Sequence, residues 1–243
     1  MGTSEESLTD GWTVQDLYLR RACWEYSQAF DLAAAALTRT PGPALAVVSS
    51  AVHGVELLKR CPAPLDLAGT GVLDAGEFVA QAAPWSWGPI RAVDLSTGLR
   101  RYSAMLWAEP EAASAATVAG RLKQLAATGA TLDVITSSSL RRYLPVWQRQ
   151  PRPSERPLTP GAAWRTLLAA GWQAAGQVSF HGPRAIAWTK LAQLAEALGR
   201  PAWADRCLYW MRRHYREGGI WWRLSPVTLT HARASGGTGD AHG

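Results

Sequence analysis

The chain has 243 residues, 47% of them apolar and 18% charged, which suits one α/β domain with a sizeable core and excludes wholesale disorder. Three scattered cysteines (Cys23, Cys61, Cys207) exclude a disulfide scaffold and read as reduced thiols; with a polar, acidic start (MGTSEESLTDGW) they point to a cytoplasmic protein. No segment approaches the ~18 consecutive apolar residues of a membrane span. The formal charge is +6 and the pI near 9.6, carried almost wholly by arginine, so nucleic acid is a disfavoured partner. Thirteen tryptophans instead suggest a large aromatic-walled interior.

In chain order, Val14, Leu17, Cys23, Phe30, Ala33 and Leu37 approximate helical spacing over 13–37, and Thr40-Pro-Gly-Pro43 stops that helix. Ala44 to Ser50 (ALAVVSS) is a short apolar run that fits either a buried strand or a helix start. His53 to Arg60 reads as helix, and Leu65-Asp-Leu-Ala68 as a strand running into Gly69-Thr-Gly71. Leu73 to Ala82 is predicted helical, Ile90 to Asp94 a strand, Leu99 to Trp107 a helix and Glu111 to Ala127 an alanine-rich helix. Leu132 to Thr136 is the best strand, apolar and β-branched, entered from Thr128-Gly129. Leu140 to Trp147 reads as helix and Arg149 to Pro160 as loop; a helix over 162–170 stops at Gly171. A strand over 174–180, helices over 185–198 and 202–215, and a closing extended segment over 220–234 complete the pattern. Strands alternating with helices predict a mostly parallel sheet covered on both faces, with ligands at the carboxyl ends of the strands.

Three constellations sit at such ends. In Leu65-Asp-Leu-Ala-Gly-Thr-Gly71 an acidic strand turns through glycines that let backbone N–H groups approach a ligand, although a tight turn alone would explain them. In Ile90-Arg-Ala-Val-Asp-Leu-Ser96, Asp94 can accept from a ribose diol or cap a helix near Ser96. The hydroxyls Ser137 to Ser139 would line the rim or act as caps. No metal-ligand spacing, phosphate-loop pattern or GxSxG elbow is present.

Taken in order, LDLAGTG, AVDLS, LDVITSSSLRRYLP and Trp164-Arg-Thr-Leu-Leu-Ala-Ala-Gly-Trp172 resemble the class I S-adenosylmethionine-dependent methyltransferases, as first-strand glycine motif, second-strand end, fourth strand and late helix–turn. The resemblance implies a Rossmann-like three-layer sandwich and S-adenosylmethionine as cofactor. It places Asp66, Gly69 and Gly71 at the cofactor's methionine part, Asp94 at its ribose and Ser137 at the rim. Ala68 and Val72 stand where further glycines are usual, 28 residues separate Asp66 from Asp94, no adenine-contacting acid is matched, and no Pro-Gly-Gly turn announces a fifth strand. If ALAVVSS is the first strand, every later assignment moves by one.

The expected division is an N-terminal helical segment over 1–40, a methyltransferase-like α/β domain over 41–235 with a Trp-rich helical insertion at 183–219 before the last strand, and a disordered tail at 236–243. In the insertion, Trp188, Trp203, Tyr209 and Trp210 would form an apolar lid over an aromatic or lipid-like acceptor, or pack an enlarged core. His181, at a predicted strand end, is the candidate base. Arg206 to Arg216 interleaves arginines with aromatics, as phosphate contact plus base stacking would require or as a solvated helix face would show. The resulting expectation is methyl transfer to an apolar or aromatic small molecule; the rival is a catalytically degenerate relative acting as a binding or scaffold protein, RNA-associated in one version.

Overall fold

The computed structural model describes residues 13–15, 27–71, 73–137, 157–180, 182–214 and 227–235. Helix α1 (Ser27–Arg39) leads to β1 (Ala44–Val48), α2 (Ala51–Leu58), β2 (Leu65–Gly69) and α3 (Ala75–Ala82). Then come β3 (Ile90–Ala92), β4 (Tyr102–Ala108), α4 (Ala115–Leu125) and β5 (Ala126–Ser137). The chain continues through α5 (Pro160–Ala169), β6 (Trp172–Phe180), α6 (Pro183–Ala197), α7 (Pro201–Arg213) and β7 (Val227–Ala234).

The seven strands form one sheet in the order β3-β2-β1-β4-β5-β7-β6. β1 to β5 pair in parallel, and β7 runs antiparallel between β5 and β6. Successive residues of a strand face opposite sides, so β1 sends Ala44, Ala46 and Val48 into one core and Leu45 and Val47 into the other. The first core lies under α1, α2 and α3 with Phe30, Leu57 and Phe78; the second lies under α4 and α5 with Trp107, Leu122 and Trp172. This is the expected three-layer sandwich, and each layer is fixed by apolar burial on both sheet faces. The Trp172 indole N–H donates to the Ala119 carbonyl at 3.2 Å, tying the start of β6 to α4.

Three expectations change. ALAVVSS is β1, so LDLAGTG belongs to the second strand, AVDLS to the exit of the third and LDVITS to the fifth. The segment predicted as a helix over 99–107 is β4: Tyr-Ser-Ala-Met-Leu-Trp-Ala has helix-forming residues, but burial on both faces between β1 and β5 overrides them. The fifth strand is present after all: it begins at Ala126, ahead of Thr128-Gly129, and Gly129 takes φ +73° within it. The late helix–Gly171–β6 turn, the helical pair before the last strand and the closing antiparallel strand stand as expected. His181, Ser138, Ser139, the predicted helix at 140–147 and the tail at 236–243 lie outside the described residues.

Candidate functional site

The sheet order reverses between β1 and β4, the kind of switch point beside which open α/β sheets hold their ligands at the carboxyl edge. The β1 exit is Ser49-Ser50, and Ser50 caps α2. Its Oγ accepts from the His53 backbone N–H at 3.4 Å and lies 2.9 Å from His53 Nδ1. The helix N-terminus that a glycine turn would leave open to a ligand is therefore partly satisfied by the chain's own hydroxyl.

The β2 exit is Gly69-Thr70-Gly71. A Cβ on Gly69 would collide with the Leu73 carbonyl, so the loop folds back tightly there. Gly71 takes φ +66°, and a Cβ there would collide with the carboxylate of Glu111. Gly69 is thus required by close approach of backbone and Gly71 by its positive φ; the group nearest Gly71 is a carboxylate delivered from the β4 exit, across β1. Beside it, Thr70 anchors its N–H on the Val48 carbonyl at 3.0 Å, while its Oγ1 is buried without a hydrogen-bond partner. At the β4 exit Glu109 holds a left-handed φ of 50°, uncommon for a side-chain-bearing residue, and redirects the chain through Pro110 to Glu111.

Asp94 leaves β3 with its carboxylate exposed. It accepts from the Ser96 N–H at 2.8 Å and from Ser96 Oγ at 2.7 and 2.8 Å, closing a turn rather than capping a helix. Those hydrogen bonds, Ser96 Oγ foremost, hold its carboxyl below the usual range. Arg121 on α4 donates to the carbonyls of Leu95, Ser96 and Gly98, fixing the loop. Ser137 ends β5, buried, with an Oγ that has no hydrogen-bond partner.

Asp66 stands apart from this group. It is the second residue of β2, near the amino end, and it is buried. Arg91 grips it with two hydrogen bonds at 3.1 and 2.8 Å, Arg100 adds one at 3.3 Å, and the Tyr102 hydroxyl donates at 2.9 Å. Burial, then the Asp66 hydrogen bond, push the Tyr102 phenol up to about 12. A carboxylate this engaged at the opposite end of its strand serves the sheet and not the carboxyl edge.

The arrangement of strands has known counterparts. No family model matches the chain, and no curated protein matches it. Among solved structures, the 4+2 cyclase SpnF aligns with a TM-score of 0.53 at 14% identity, covering 87% of this chain and 82% of that one. A geranyl diphosphate methyltransferase solved with S-adenosylmethionine aligns with a TM-score of 0.53 at 12% identity, covering 93% and 92%. The geranyl diphosphate C-methyltransferase of Streptomyces coelicolor A3(2), with S-adenosyl-L-homocysteine bound, gives 0.51 at 11% identity over 94% and 85%. This chain has the class I methyltransferase fold. The likeness is one of architecture, spread over almost the whole chain while little of the sequence is shared.

Within the methyltransferase fold the candidate residues take new places. Gly69 ends the second strand and Gly71 follows it, where the resemblance expects a ribose-binding acid; the acid of that loop, Asp74, instead caps α3, accepting from the Gly76 and Glu77 N–H groups. Asp94 follows the third strand, not the second, where the resemblance expects the ribose-binding acid. Glu111 and Thr70 were missed. A single Glu after Ala108-Glu-Pro110 carries no motif, and only the fold brings it to Gly71.

Proposed function

We propose that this chain binds S-adenosylmethionine over the carboxyl edge of β1 to β4 and transfers its methyl group to an apolar or aromatic small molecule. The reading is carried by one observation: two carboxylates, Glu111 against Gly71 and Asp94 beyond β3, stand at the exits flanking the sheet's switch point, with the orphaned Thr70 hydroxyl beside the first. These groups suit a ribose diol and an adenine amine, which donate hydrogen bonds to acceptor-only side chains. When bound, the cofactor supplies a sulfonium-activated methyl group as the electrophile. The chain's part is to align the two reactants and keep water out. His181, which follows β6, is the residue proposed to take the proton from an oxygen or nitrogen acceptor. Neighbouring proteins named for geranyl diphosphate support an apolar acceptor.

A second reading, a degenerate relative that binds or scaffolds without catalysis, is favoured by specific features. Ser50 satisfies the helix start after β1, Asp74 after β2 is engaged in capping α3, and Glu111 fills the space beside Gly71. Titration calorimetry with S-adenosylmethionine and its demethylated product separates the two. The first reading expects binding by the intact protein, weakened roughly tenfold or more by Asp94→Ala and by Glu111→Ala. Silence from the intact protein, or binding that appears only after Glu111→Ala opens the space beside Gly71, establishes the second.

A further inference from the structure

The hairpin of α6 and α7 carries more large apolar surface than its packing uses. Ala192, Ala195, Ala204, Cys207 and Met211 face inward and are buried, which anchors both helices. On α6, Leu191, Leu194 and Leu198 recur at three and four residues, so they share one face, with exposures of 37%, 51% and 59%. On α7, Trp203 and Trp210 lie seven residues apart on one face, 43% and 40% exposed, with Tyr209 beside them at 60%. Trp188 of α6 stacks on Trp210 of α7 with ring centroids 6.1 Å apart, bringing the leucine and tryptophan stripes to one seam. The sequence reading offered lid or core for these aromatics; three of the four are exposed on the outer surface.

Charge accompanies the patch. Residues 183–213 hold six basic and two acidic side chains, a net +4 out of the chain's +6. Arg206 is exposed one turn from both Trp203 and Trp210, and the Arg213 guanidinium lies 5.6 Å from the Trp210 ring centroid. We propose that this face docks the protein on an anionic bilayer surface. Leucines and indoles would enter the headgroup–acyl boundary, where Trp and Tyr concentrate, while the arginines meet anionic headgroups. A second copy of the chain would set +4 against +4, and a nucleic acid would leave the leucines in water; an anionic bilayer satisfies both halves of the patch. Among the described residues no helix is long and apolar enough to cross a membrane, so the hairpin lies on the surface.

The test is flotation of the full chain with phosphatidylcholine vesicles, with and without phosphatidylglycerol, read together with tryptophan emission. The protein is expected to float with the anionic vesicles only, with blue-shifted emission. Leu194→Glu/Leu198→Glu and, separately, Arg206→Glu/Arg213→Glu should each weaken binding roughly tenfold or more while thermal midpoints hold, because these side chains are exposed. No flotation, equal flotation on neutral vesicles, or variants that bind like the parent would overturn the proposal. So would a dimer, seen by light scattering, that Leu194→Glu/Leu198→Glu dissolves, since the face would then belong to a second copy.

Discussion

Asp66 and Asp94 look alike in the sequence, each an acid among apolar residues near a predicted strand end, and the structure gives them opposite environments. Asp66 is buried at the amino end of β2 under two guanidiniums and a phenol. Asp94 is exposed beyond the carboxyl end of β3, and its carboxylate accepts from Ser96 and Thr97 of its own turn. The same side chain is buried and tied down at one end of a parallel sheet and exposed at the other. What decides is its position along the strand, because helix N-termini and diverging loops gather only at the carboxyl edge.

Substitutions sharpen that contrast. The largest effect is expected from Asp66→Ala: it strips the buried Tyr102 hydroxyl of its acceptor and leaves two arginines facing each other, costing about 2–3 kcal/mol in denaturant unfolding. Were Asp66→Ala as stable as the parent, the cluster would hold nothing together and the comparison would fail. Arg91→Ala should cost much less on the same measurement, since this guanidinium sits largely in water and Arg100 still faces Asp66. A loss matching that of Asp66→Ala would make Arg91 the anchor instead.

The smallest effect is a pH dependence at the β5–β7 junction. His231 Nδ1 lies 2.6 Å from Asp133 Oδ1, directly opposite in the strand register, and that hydrogen bond raises the imidazole above its ordinary value of about 6.5. A group whose folded value is raised stabilises fully below its unfolded value and loses that contribution as pH climbs through the folded one. The thermal midpoint of the parent should therefore fall, relative to His231→Gln, as pH rises from below 6.5 to the alkaline side. Parallel curves for the two proteins would remove the ion pair from the account.

Much of this architecture was legible because periodicity and punctuation are local. Gly171, the two prolines that open α6 and α7, and the apolar alternation of β6 and β7 declare themselves in a few residues. β4 did not, since a strand buried on both faces loses alternation and Ala, Met and Leu then read as helix. β1 was ambiguous at five residues, and that one uncertainty displaced every strand number after it. The site suffered most. Gly71 was legible as a turn, and its positive φ is local, but the carboxylate set beside it belongs to Glu111, forty residues on and two strands away, a relation no local pattern encodes.

The position of β7 has a consequence for how the molecule is made. It follows the six other described strands along the chain, yet it sits inside the sheet, bonded to β5 on one side and β6 on the other. Until it arrives, two strand edges of the nascent chain face each other across a gap, each able to recruit a foreign strand. The sheet is closed by a keystone strand, and a chain released before residue 227 would keep both edges open and be primed for aggregation.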